Sequence, residues 1–425
     1  MKGGIEGMSL ITVDGGRRLN GTLTVQGAKN SVLPILAATL LSRDTCRIQR
    51  CPRLYDVETT TEILRHLGCR VWWEADDLLI DTTEVDRWDI PDCLMRKMRS
   101  SVIFLGAILS RCAQAEISYP GGCELGPRPI DLHLAALRQL GAQIEETGGS
   151  LCCRAEQMRG AEIVLSLPSV GATENAILAG CGAQGVTTIH NAAREPEICD
   201  LQNFLCAMGA DVRGAGSSTV IVSGGKRLHG CTHTVIADRI VAATYLAAAA
   251  GAGGDICLKG VEPAHLAPVT AALAQAGCSI TCQGQSVRLQ SEAKLRGISP
   301  IRTSPYPGFP TDAQAVVMAA LLQSRGTTVF VENMFENRYR HVAELRRMGA
   351  DVRPEGRVAV VCGVEQLHGA RVDATDLRGG AALVVAGLQA DDVTTVGQTH
   401  HIQRGYADIV GDLSCLGAEI RWEHT

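Results

Sequence analysis

Residues 63–71 read "ILRHLGCRV", in which an apolar helical run ends at a glycine and a short alternating strand follows. The pattern returns five more times, and the shared glycines are 73, 68, 68, 72 and 68 residues apart. Such a period indicates repeated supersecondary units rather than one irregular domain. The other copies are "ALRQLGAQI" (136–144), "FLCAMGADV" (204–212), "ALAQAGCSI" (272–280), "ELRRMGADV" (344–352) and "DLSCLGAEI" (412–420).

Each copy predicts two helices with β-strand pattern on either side of them. The glycine that ends the second helix suits a left-handed C-cap, because glycine adopts positive φ without steric cost. A helix of small residues lies upstream, such as "NSVLPILAATLL" (30–41), and a strand such as "TTVFVEN" (327–333) follows it. Six such units are too many for one core, so we expect an α/β protein with two domains of three units each.

The composition excludes several classes of function. With 46% apolar and 20% charged residues, the 425-residue chain is typical of a globular protein. A net charge of -5 and only 4% aromatic residues argue against nucleic acid or an anionic membrane surface as partner. The longest apolar run, "IVAATYLAAAAGAGG" from Ile240, is too short to cross a bilayer and predicts a packed helix.

The cysteines and the N-terminal sequence predict a cytoplasmic protein. The start, "MKGGIEGMSL", has no basic region followed by an apolar core, as an export signal would. Seventeen cysteines in such a chain are expected to be reduced thiols rather than a disulfide framework. None forms a CxxC pair, and we interpret the pair His400-His401 as structural, so no metal site is predicted.

Polar residues open the first helix of every copy, where they stand out against the small apolar residues that follow. A helix N-terminus offers free N–H groups and the positive end of the helix dipole, which together favour anions. N-capping alone would explain Ser, Thr, Asp and Asn, but cations at this end oppose the dipole. The mixed charges therefore favour a binding site made of Lys29-Asn30, Arg99, residues 169–171, Asp238-Arg239, Thr311-Asp312 and residues 376–378.

Arginines recur before the second helices. Arg128 and Arg404 each lie 13 residues before a shared glycine, and Arg338 lies 11 residues before another. A single exposed arginine is usually only solvated, but three at equivalent positions favour a clamp for phosphate or carboxylate.

The loop "PGGCELGPRPIDLH" (120–133) places a thiol after two glycines and an arginine between two prolines. This loop and six further motifs resemble the UDP-N-acetylglucosamine 1-carboxyvinyltransferases, which are enolpyruvyl transferases of bacterial peptidoglycan synthesis. The resemblance runs from about Thr12 to Glu419. The further motifs are "GAKN" (27–30), "SVGATEN" (169–175), "NAAREPEI" (191–198), "FPTDAQA" (309–315), "FENRYRHVAEL" (335–345) and "ATDLRGGAALVVAGL" (374–388).

The resemblance implies a fold and a reaction. The fold would be a two-domain inverse α/β barrel of six βαβαββ repeats, with residues 29–235 in one domain and 1–28 plus 236–425 in the other. The active site would lie in the interdomain cleft. The enzyme would transfer enolpyruvyl from phosphoenolpyruvate to the 3-hydroxyl of UDP-N-acetylglucosamine through a tetrahedral ketal, and no metal or organic cofactor would be required. The only partners implied are these small-molecule substrates.

The family pattern also assigns roles to residues of this chain. Cys123 would donate the proton and could form a covalent adduct, and Asp312 would be the base, although it could also cap its helix. Arg404 would be the third catalytic residue. Phosphoenolpyruvate would be bound by Lys29, Asn30, Arg128, Arg338, Arg378 and Arg404. UDP-N-acetylglucosamine would be bound by Arg99, Arg128, Pro129, Ile130, Asp131, Leu132, Leu167, Pro168, Ser169, Val170, Gly171, Asp312 and Met334. His133 is expected to serve packing or hydrogen bonding.

Other interpretations compete with this one. Within the fold, 5-enolpyruvylshikimate-3-phosphate synthase is an alternative that the cysteine loop and "SVGATEN" disfavour. A non-catalytic paralogue that binds the UDP-sugar is a second, and a cysteine hydrolase is a weaker third. Tyr55 stands where many members carry lysine, and Gln403 replaces the common aspartate of "IDRGY". We expect these two changes to affect affinity and cleft electrostatics more than the reaction.

Overall fold

A computed structural model describes residues 9–120 and 130–424, and the chain divides into two compact units. The inserted unit is Gly27–Ile236, and the flanking unit combines the residues up to Gln26 with those from Ala237 onward. The inserted unit thus begins at Gly27 and ends at Ile236, whereas the resemblance implied a domain of residues 29–235. Each unit has its own hydrophobic core.

The strands of the described residues are short, and most show buried and exposed side chains in alternation, as expected for sheets with one face on a core. In chain order they are β1 (Ser9–Asp14), β2 (Leu19–Thr24), β3 (Thr45–Gln49), β4 (Arg70–Glu74), β5 (Asp77–Asp81), β6 (Asp89–Ile90), β7 (Gln114–Ser118), β8 (Gln143–Thr147), β9 (Ser150–Arg154), β10 (Glu162–Val164), β11 (Val186–His190), β12 (Asp211–Arg213), β13 (Thr219–Ser223), β14 (Thr232–Thr234), β15 (Gly254–Lys259), β16 (Ser279–Gln283), β17 (Ser286–Ser291), β18 (Ile301–Arg302), β19 (Thr327–Val331), β20 (Asp351–Glu355), β21 (Val358–Cys362), β22 (Arg371–Asp373), β23 (Val393–Gly397) and β24 (Glu419–His424).

The helices alternate with these strands. In chain order they are α1 (Lys29–Ala38), α2 (Tyr55–His66), α3 (Asp92–Met95), α4 (Phe104–Cys112), α5 (Asp131–Gln139), α6 (Val170–Gly182), α7 (Pro196–Ala207), α8 (Arg239–Ala252), α9 (Ala267–Ala276), α10 (Thr311–Ala320), α11 (Val342–Arg347), α12 (Leu377–Gly387), α13 (His400–Gln403) and α14 (Ile409–Cys415), with 3₁₀ turns at Thr39–Leu41, Arg99–Ile103 and Pro263–Leu266. Within the described residues, none of these helices has both the length and the apolar character that crossing a bilayer requires.

The described strands form six four-stranded sheets, three in each unit, and all six share one plan. An edge strand runs parallel to the second strand, and the third and fourth strands are each antiparallel to the one before. The orders are β14-β3-β5-β4, β6-β7-β9-β8 and β10-β11-β13-β12 in the inserted unit, and β2-β15-β17-β16, β18-β19-β21-β20 and β22-β23-β1-β24 in the flanking unit. The predicted α/β fold with six βαβαββ repeats is confirmed.

Three helices of small residues form the centre of each unit. In α8, every residue from Ile240 to Gly251 is buried, so the alanine-rich run is a packed helix as predicted. In the inserted unit α4 and α6 lie so close that a Cβ at Gly106 would be 2.5 Å from the Asn175 carbonyl oxygen. Helices buried on all sides require such small residues, because larger side chains would separate them.

The six shared glycines all end their helices in the predicted left-handed conformation, with φ between 91° and 115°. At Gly68 the glycine N–H donates to Arg65 O, and the next N–H, of Cys69, donates to Leu64 O. The same two hydrogen bonds recur in the other five copies. This pair of bonds defines the Schellman motif, which satisfies the last carbonyl groups of the helix and turns the chain into the next strand.

Replacing two of these glycines by alanine separates the cost of left-handed φ from the cost of steric contact with the added Cβ. Gly141→Ala adds a Cβ whose nearest neighbour is 3.5 Å away, whereas at Gly68 the Cβ would be 2.6 Å from Glu84 O. We expect Gly141→Ala to lower the free energy of unfolding by about 1–2 kcal/mol, the cost of left-handed φ in a non-glycine residue. Gly68→Ala should cost clearly more. Urea denaturation of both variants tests this, and equal losses would contradict it.

Candidate active site

The polar residues predicted to open the first helices lie where they were expected. Lys29, Val170, Arg239, Thr311 and Leu377 are the first residues of α1, α6, α8, α10 and α12. The capping interpretation also holds at three of these helices, because the side chains of Ser169, Asp238 and Asp376 accept hydrogen bonds from backbone N–H groups of the first turn.

Arg99 is the exception, because it begins a 3₁₀ turn and α4 follows only at Phe104. The residues between them, "SSVI", are weak helix formers. The Ser101 hydroxyl also donates to Met98 O at 2.6 Å, a local bond that competes with regular helical pairing. Arg99 therefore lies in a 3₁₀ turn, which is tighter than the α-helix start that the pattern predicted.

A carboxylate between two buried arginines is the main feature of the flanking unit. Arg338 Nη2 donates to Asp312 Oδ1 at 2.9 Å, and Arg378 Nη2 donates to Asp312 Oδ2 at 3.2 Å. The arginine side chains are only 2% and 3% exposed, whereas Asp312 is 29% exposed. Asp312 is thus fixed by its buried partners on one side and accessible to a ligand on the other.

The charges around this carboxylate compensate one another. Burial by itself would lower the pKa of Arg378, but Asp312, Tyr406 and Asp238 together outweigh it and the pKa is raised. Burial would likewise raise the pKa of Asp376, but the Arg338 charge and the backbone N–H groups of α12 bring it below its ordinary value. His341 is fully buried beside them, and burial lowers its pKa to about 4. The imidazole is therefore neutral at pH 7.

Met334 is carried on a loop that a buried carboxylate shapes. Glu332 Oε1 accepts hydrogen bonds from the N–H groups of Met334 and Phe335, and Oε2 accepts one from the Thr311 hydroxyl at 2.9 Å. The Met334 side chain is 40% exposed. This fixes an exposed apolar side chain near the start of α10.

Arg404 and its neighbours follow α13. Arg404 is half-buried and Gln403 is exposed, while Tyr406, two residues on, is buried. The His400 and His401 rings stack with centroids 4.1 Å apart. Residues 9–120 and 130–424 contain no cluster of three or more His, Cys, Asp or Glu side chains that could hold a metal ion.

In the inserted unit Lys29 is held by a carboxylate that the sequence analysis missed. Its Nζ lies 2.6 Å from Asp56 Oδ2, and both side chains are buried. Asp56 is in the first turn of α2, next to Tyr55, whose side chain is 56% exposed. Because the two partners are far apart in sequence, only the position of Asp56 at a predicted helix start could have indicated its role.

The first turn of α1 is anchored a second time by Asp200 of α7. This buried carboxylate accepts hydrogen bonds from the Ser31 hydroxyl and from Ile236 N, and its Oδ1 lies 2.9 Å from His233 Nε2. Asn30, between Lys29 and Ser31, is half-buried. The side chains of Lys29 and Ser31, on either side of Asn30, are therefore each held by a buried carboxylate.

His133 is a hydrogen-bonding residue, as expected. Its Nδ1 lies 2.7 Å from the Asn175 side-chain nitrogen, which also donates to Val102 O, while Asn175 Oδ1 accepts from Gly106 N. Burial first, and then the Arg99 charge, lower the pKa of His133 to about 4. A neutral ring accepts through Nδ1 and carries its proton on Nε2.

The remaining residues predicted to contact the nucleotide sugar surround the starts of α5 and α6. Ile130 is buried, Leu132 is half-buried and Asp131 is exposed at the start of α5. Leu167 is 67% exposed, and Pro168 is half-buried, directly before Ser169 and Val170. Gly171 lies against His133, where a Cβ would be 2.9 Å from the ring. The predicted residues Cys123, Arg128 and Pro129 lie outside the described residues.

The comparisons with known proteins agree on one group of enzymes. The family described as EPSP synthase (3-phosphoshikimate 1-carboxyvinyltransferase) matches residues 13–413. The chain is 48% identical over 413 residues to UDP-N-acetylglucosamine 1-carboxyvinyltransferase 2 of Caldanaerobacter subterraneus, covering 97% of this chain and 99% of the relative. It is 48% identical over 408 residues to the UDP-N-acetylglucosamine 1-carboxyvinyltransferase of Mycobacterium tuberculosis, covering 96% and 97%.

Solved structures give the same fold. The enolpyruvyl transferase NikO from Streptomyces tendae has a TM-score of 0.88 at 26% identity, with 99% of this chain and 100% of that chain covered. An EPSP synthase from Acinetobacter baumannii has a TM-score of 0.75 at 20% identity over 98% and 100% of the two chains, which supports the fold alone.

The buried Lys29–Asp56 pair makes a testable contribution to stability. Asp56→Asn removes the opposite charge 2.6 Å from a buried ammonium group, so we expect the free energy of unfolding to fall by about 3 kcal/mol. Glu62→Gln, also on α2, is the control, because its pair with Lys97 at 2.7 Å is 39% exposed on both sides and should contribute less than about 1 kcal/mol. Urea denaturation measures both, and comparable losses would contradict the assignment.

Proposed function

This chain belongs to the EPSP synthase family and, within it, to the UDP-N-acetylglucosamine 1-carboxyvinyltransferases. From that premise we propose that it transfers the enolpyruvyl group of phosphoenolpyruvate to the 3-hydroxyl of UDP-N-acetylglucosamine and releases phosphate. This is an enolpyruvyl transfer of peptidoglycan synthesis. The observation that supports it most strongly is 48% identity over nearly the whole length of both chains.

The relatives give no support to the non-catalytic alternative, since those at 45–48% identity all carry the name of the transferase. Both substrates are small molecules. We also propose a cytoplasmic location, because phosphoenolpyruvate and nucleotide sugars are cytoplasmic metabolites.

The reaction is an addition followed by an elimination. In the addition, the sugar oxygen bonds to C2 of phosphoenolpyruvate, its proton goes to a base, and an acid delivers a proton to the methylene carbon. In the elimination, the resulting methyl group loses a proton, the C2–O bond to phosphate breaks and the double bond returns. The protein must therefore supply an acid, a base and cations that bind the carboxylate and phosphate.

Asp312 is the base in this proposal. Its carboxylate is accessible from solvent, and both oxygens are fixed by buried guanidinium groups, so the lone pairs that meet the sugar hydroxyl have a defined direction. Two neighbouring cations also favour the ionised form of a carboxyl group, and the ionised form is the one that accepts a proton. Cys123 is the acid in this proposal, by its place in the family motif.

The remaining roles follow the charges. Lys29, Asn30, Arg128, Arg338, Arg378 and Arg404 are proposed to bind the phosphate and carboxylate of phosphoenolpyruvate. In the UDP-sugar site, exposed Leu167 and Met334 are proposed to contribute apolar contact area. Arg99, Pro168, Val170, Gly171 and residues 128–132 complete that site, in which Ser169 acts mainly by capping α6.

The transfer predicts that phosphate release requires both substrates. Colorimetric phosphate measurement should show release from phosphoenolpyruvate only when UDP-N-acetylglucosamine is added, and shikimate 3-phosphate should not replace it. Cys123→Ser should abolish release and also labelling by a fosfomycin-type epoxide. The control Cys152→Ser alters a half-buried thiol of β9 and should change neither. Release with shikimate 3-phosphate would favour the alternative synthase, and labelling of another cysteine would contradict the role of Cys123.

The assignment of Asp312 makes a separate prediction. Asp312→Ala should lower kcat by about 100-fold or more, in the range of a lost general base, while affinity for UDP-N-acetylglucosamine falls much less. Steady-state kinetics and isothermal titration measure the two quantities. Asp351→Ala, which removes an exposed carboxylate paired with Arg353, is the control and should leave both unchanged. An unaltered kcat in Asp312→Ala would exclude the base role.

A further inference from the structure

Tyr406 is a buried polar residue in contact with Arg378, one of the two arginines that hold Asp312, and the sequence motifs assign it no role. It is only 2% exposed and lies between α13 and α14. Its hydroxyl oxygen is 3.5 Å from Arg378 Nη1, and the Arg378 guanidinium carbon lies 5.8 Å from the centre of its ring. The same hydroxyl is 2.8 Å from the Thr244 hydroxyl of α8.

The hydrogens of these groups have only one consistent arrangement. The Thr244 hydroxyl lies 2.9 Å from Ile240 O, an acceptor only, so Thr244 donates its single hydrogen there. Thr244 must then accept from the Tyr406 hydroxyl, whose hydrogen is thereby used. The free lone pairs of the Tyr406 oxygen accept from Arg378 Nη1, a donor only. The chain of donors runs from Arg378 through Tyr406 and Thr244 to the backbone of α8.

The other end of the Arg378 guanidinium donates to Asp312 Oδ2. One planar group is thus held on one edge by Tyr406 and on the other by the carboxylate. Because the guanidinium is rigid, fixing one edge fixes the direction of the other. Arg338 holds the second oxygen of Asp312 and also donates to Thr311 O at 3.0 Å, so it is anchored without Tyr406.

We propose that Tyr406, supported by Thr244, is a positioning residue that fixes Arg378 against Asp312 and so orients the base of the transfer reaction. The inference rests on the proposed function and extends it from the residues that touch substrate to a buried pair behind them. Tyr406 does not itself touch the reacting atoms. Its ring fills space in the core, and its hydroxyl carries the positioning role.

Several other charges surround this group and bear on its pH dependence. Asp312 faces Arg338 and Arg378, and Glu332 bonds to Thr311 beside it. Arg378 also lies within the field of Asp238, the cap of α8, and Arg338 within that of His341 and Asp376. Arg378 is hydrogen bonded to the Tyr406 hydroxyl, and the Asp238 charge also acts on that hydroxyl. A change at that hydroxyl therefore reaches Asp312 through Arg378.

The adjacent residue of α8 supplies a matched control. Tyr245 is also buried, and its hydroxyl donates to Asp412 Oδ2 at 2.6 Å. Asp412 belongs to α14 and takes no part in the contacts of Asp312. Tyr245→Phe and Tyr406→Phe each remove one buried hydroxyl and keep the ring, so their cost to folding is comparable while their positions relative to Arg378 differ.

The experiment compares four variants in the phosphate-release assay. Tyr406→Phe and Thr244→Val should lower kcat by about fivefold, less than loss of a full charged hydrogen bond because the contact is long. The acid limb of the pH profile of kcat should move to higher pH, since a carboxylate held less firmly by a cation is protonated more easily. The KM for UDP-N-acetylglucosamine should stay within about twofold. Thr244→Ser should restore turnover, and Tyr245→Phe should match the parent protein in kcat and pH profile.

Crystal structures of Tyr406→Phe and Tyr245→Phe test the positioning independently of turnover. The Arg378–Asp312 hydrogen bond should be lost or displaced in the first and retained in the second. The proposal is overturned if that bond is unchanged in Tyr406→Phe, or if Tyr406→Phe and Tyr245→Phe alter kcat and the acid limb equally. A parent protein without phosphate release would instead refute the proposed function, and the two structures would still decide the role of Tyr406.

Discussion

The structure depends on helices that are buried on every side. A helix in the middle of a unit cannot carry charged residues along its length, because desolvating an isolated charge costs far more than folding can supply. The sides of α8, α10 and α12 accordingly consist almost entirely of small or apolar residues. Charged groups are more easily accommodated at the N-terminal end of such a helix, where four N–H groups are free. The fold thus places much of the polar chemistry of this protein at helix starts.

Where charges do enter, they do so in compensated groups. Lys29 is paired with Asp56, and Asp312 is shared by Arg338 and Arg378. Lys29 and Asp56 are both buried, whereas Asp312 is accessible and is oriented by its two buried partners. In the flanking unit this arrangement continues inward to Tyr406 and Thr244. The rigidity that the proposed base requires is therefore supplied by the core.

The sequence predicted the features that depend on residues close together in the chain, and few of those that depend on partners distant in sequence. The glycine caps and helix starts follow from residues a few positions apart, and because the pattern occurs six times, a weak signal became a strong one. Asp56, Asn175 and Tyr406 act through partners distant in sequence, and neither the period nor the motifs predict those partners. The start of α4 was misplaced for a different reason, since serine hydroxyl bonding after Arg99 favours a 3₁₀ turn. The family motifs supplied roles for residues such as Asp312 that spacing alone would have left as a helix cap.

The shared sheet plan has a consequence for how the chain is made. All the strands of the inserted unit have been synthesised once Thr234 is complete, and β14 completes the last of its three sheets. The flanking unit is different, because β1 and β2 are made first, while β2 waits for β15 and β1 waits for β23 and β24. During translation, two strands with open edges precede a unit that can already fold. The inserted unit is therefore the first to have all its strands. The N-terminal strands β1 and β2 can pair only after strands that follow the inserted unit have been made.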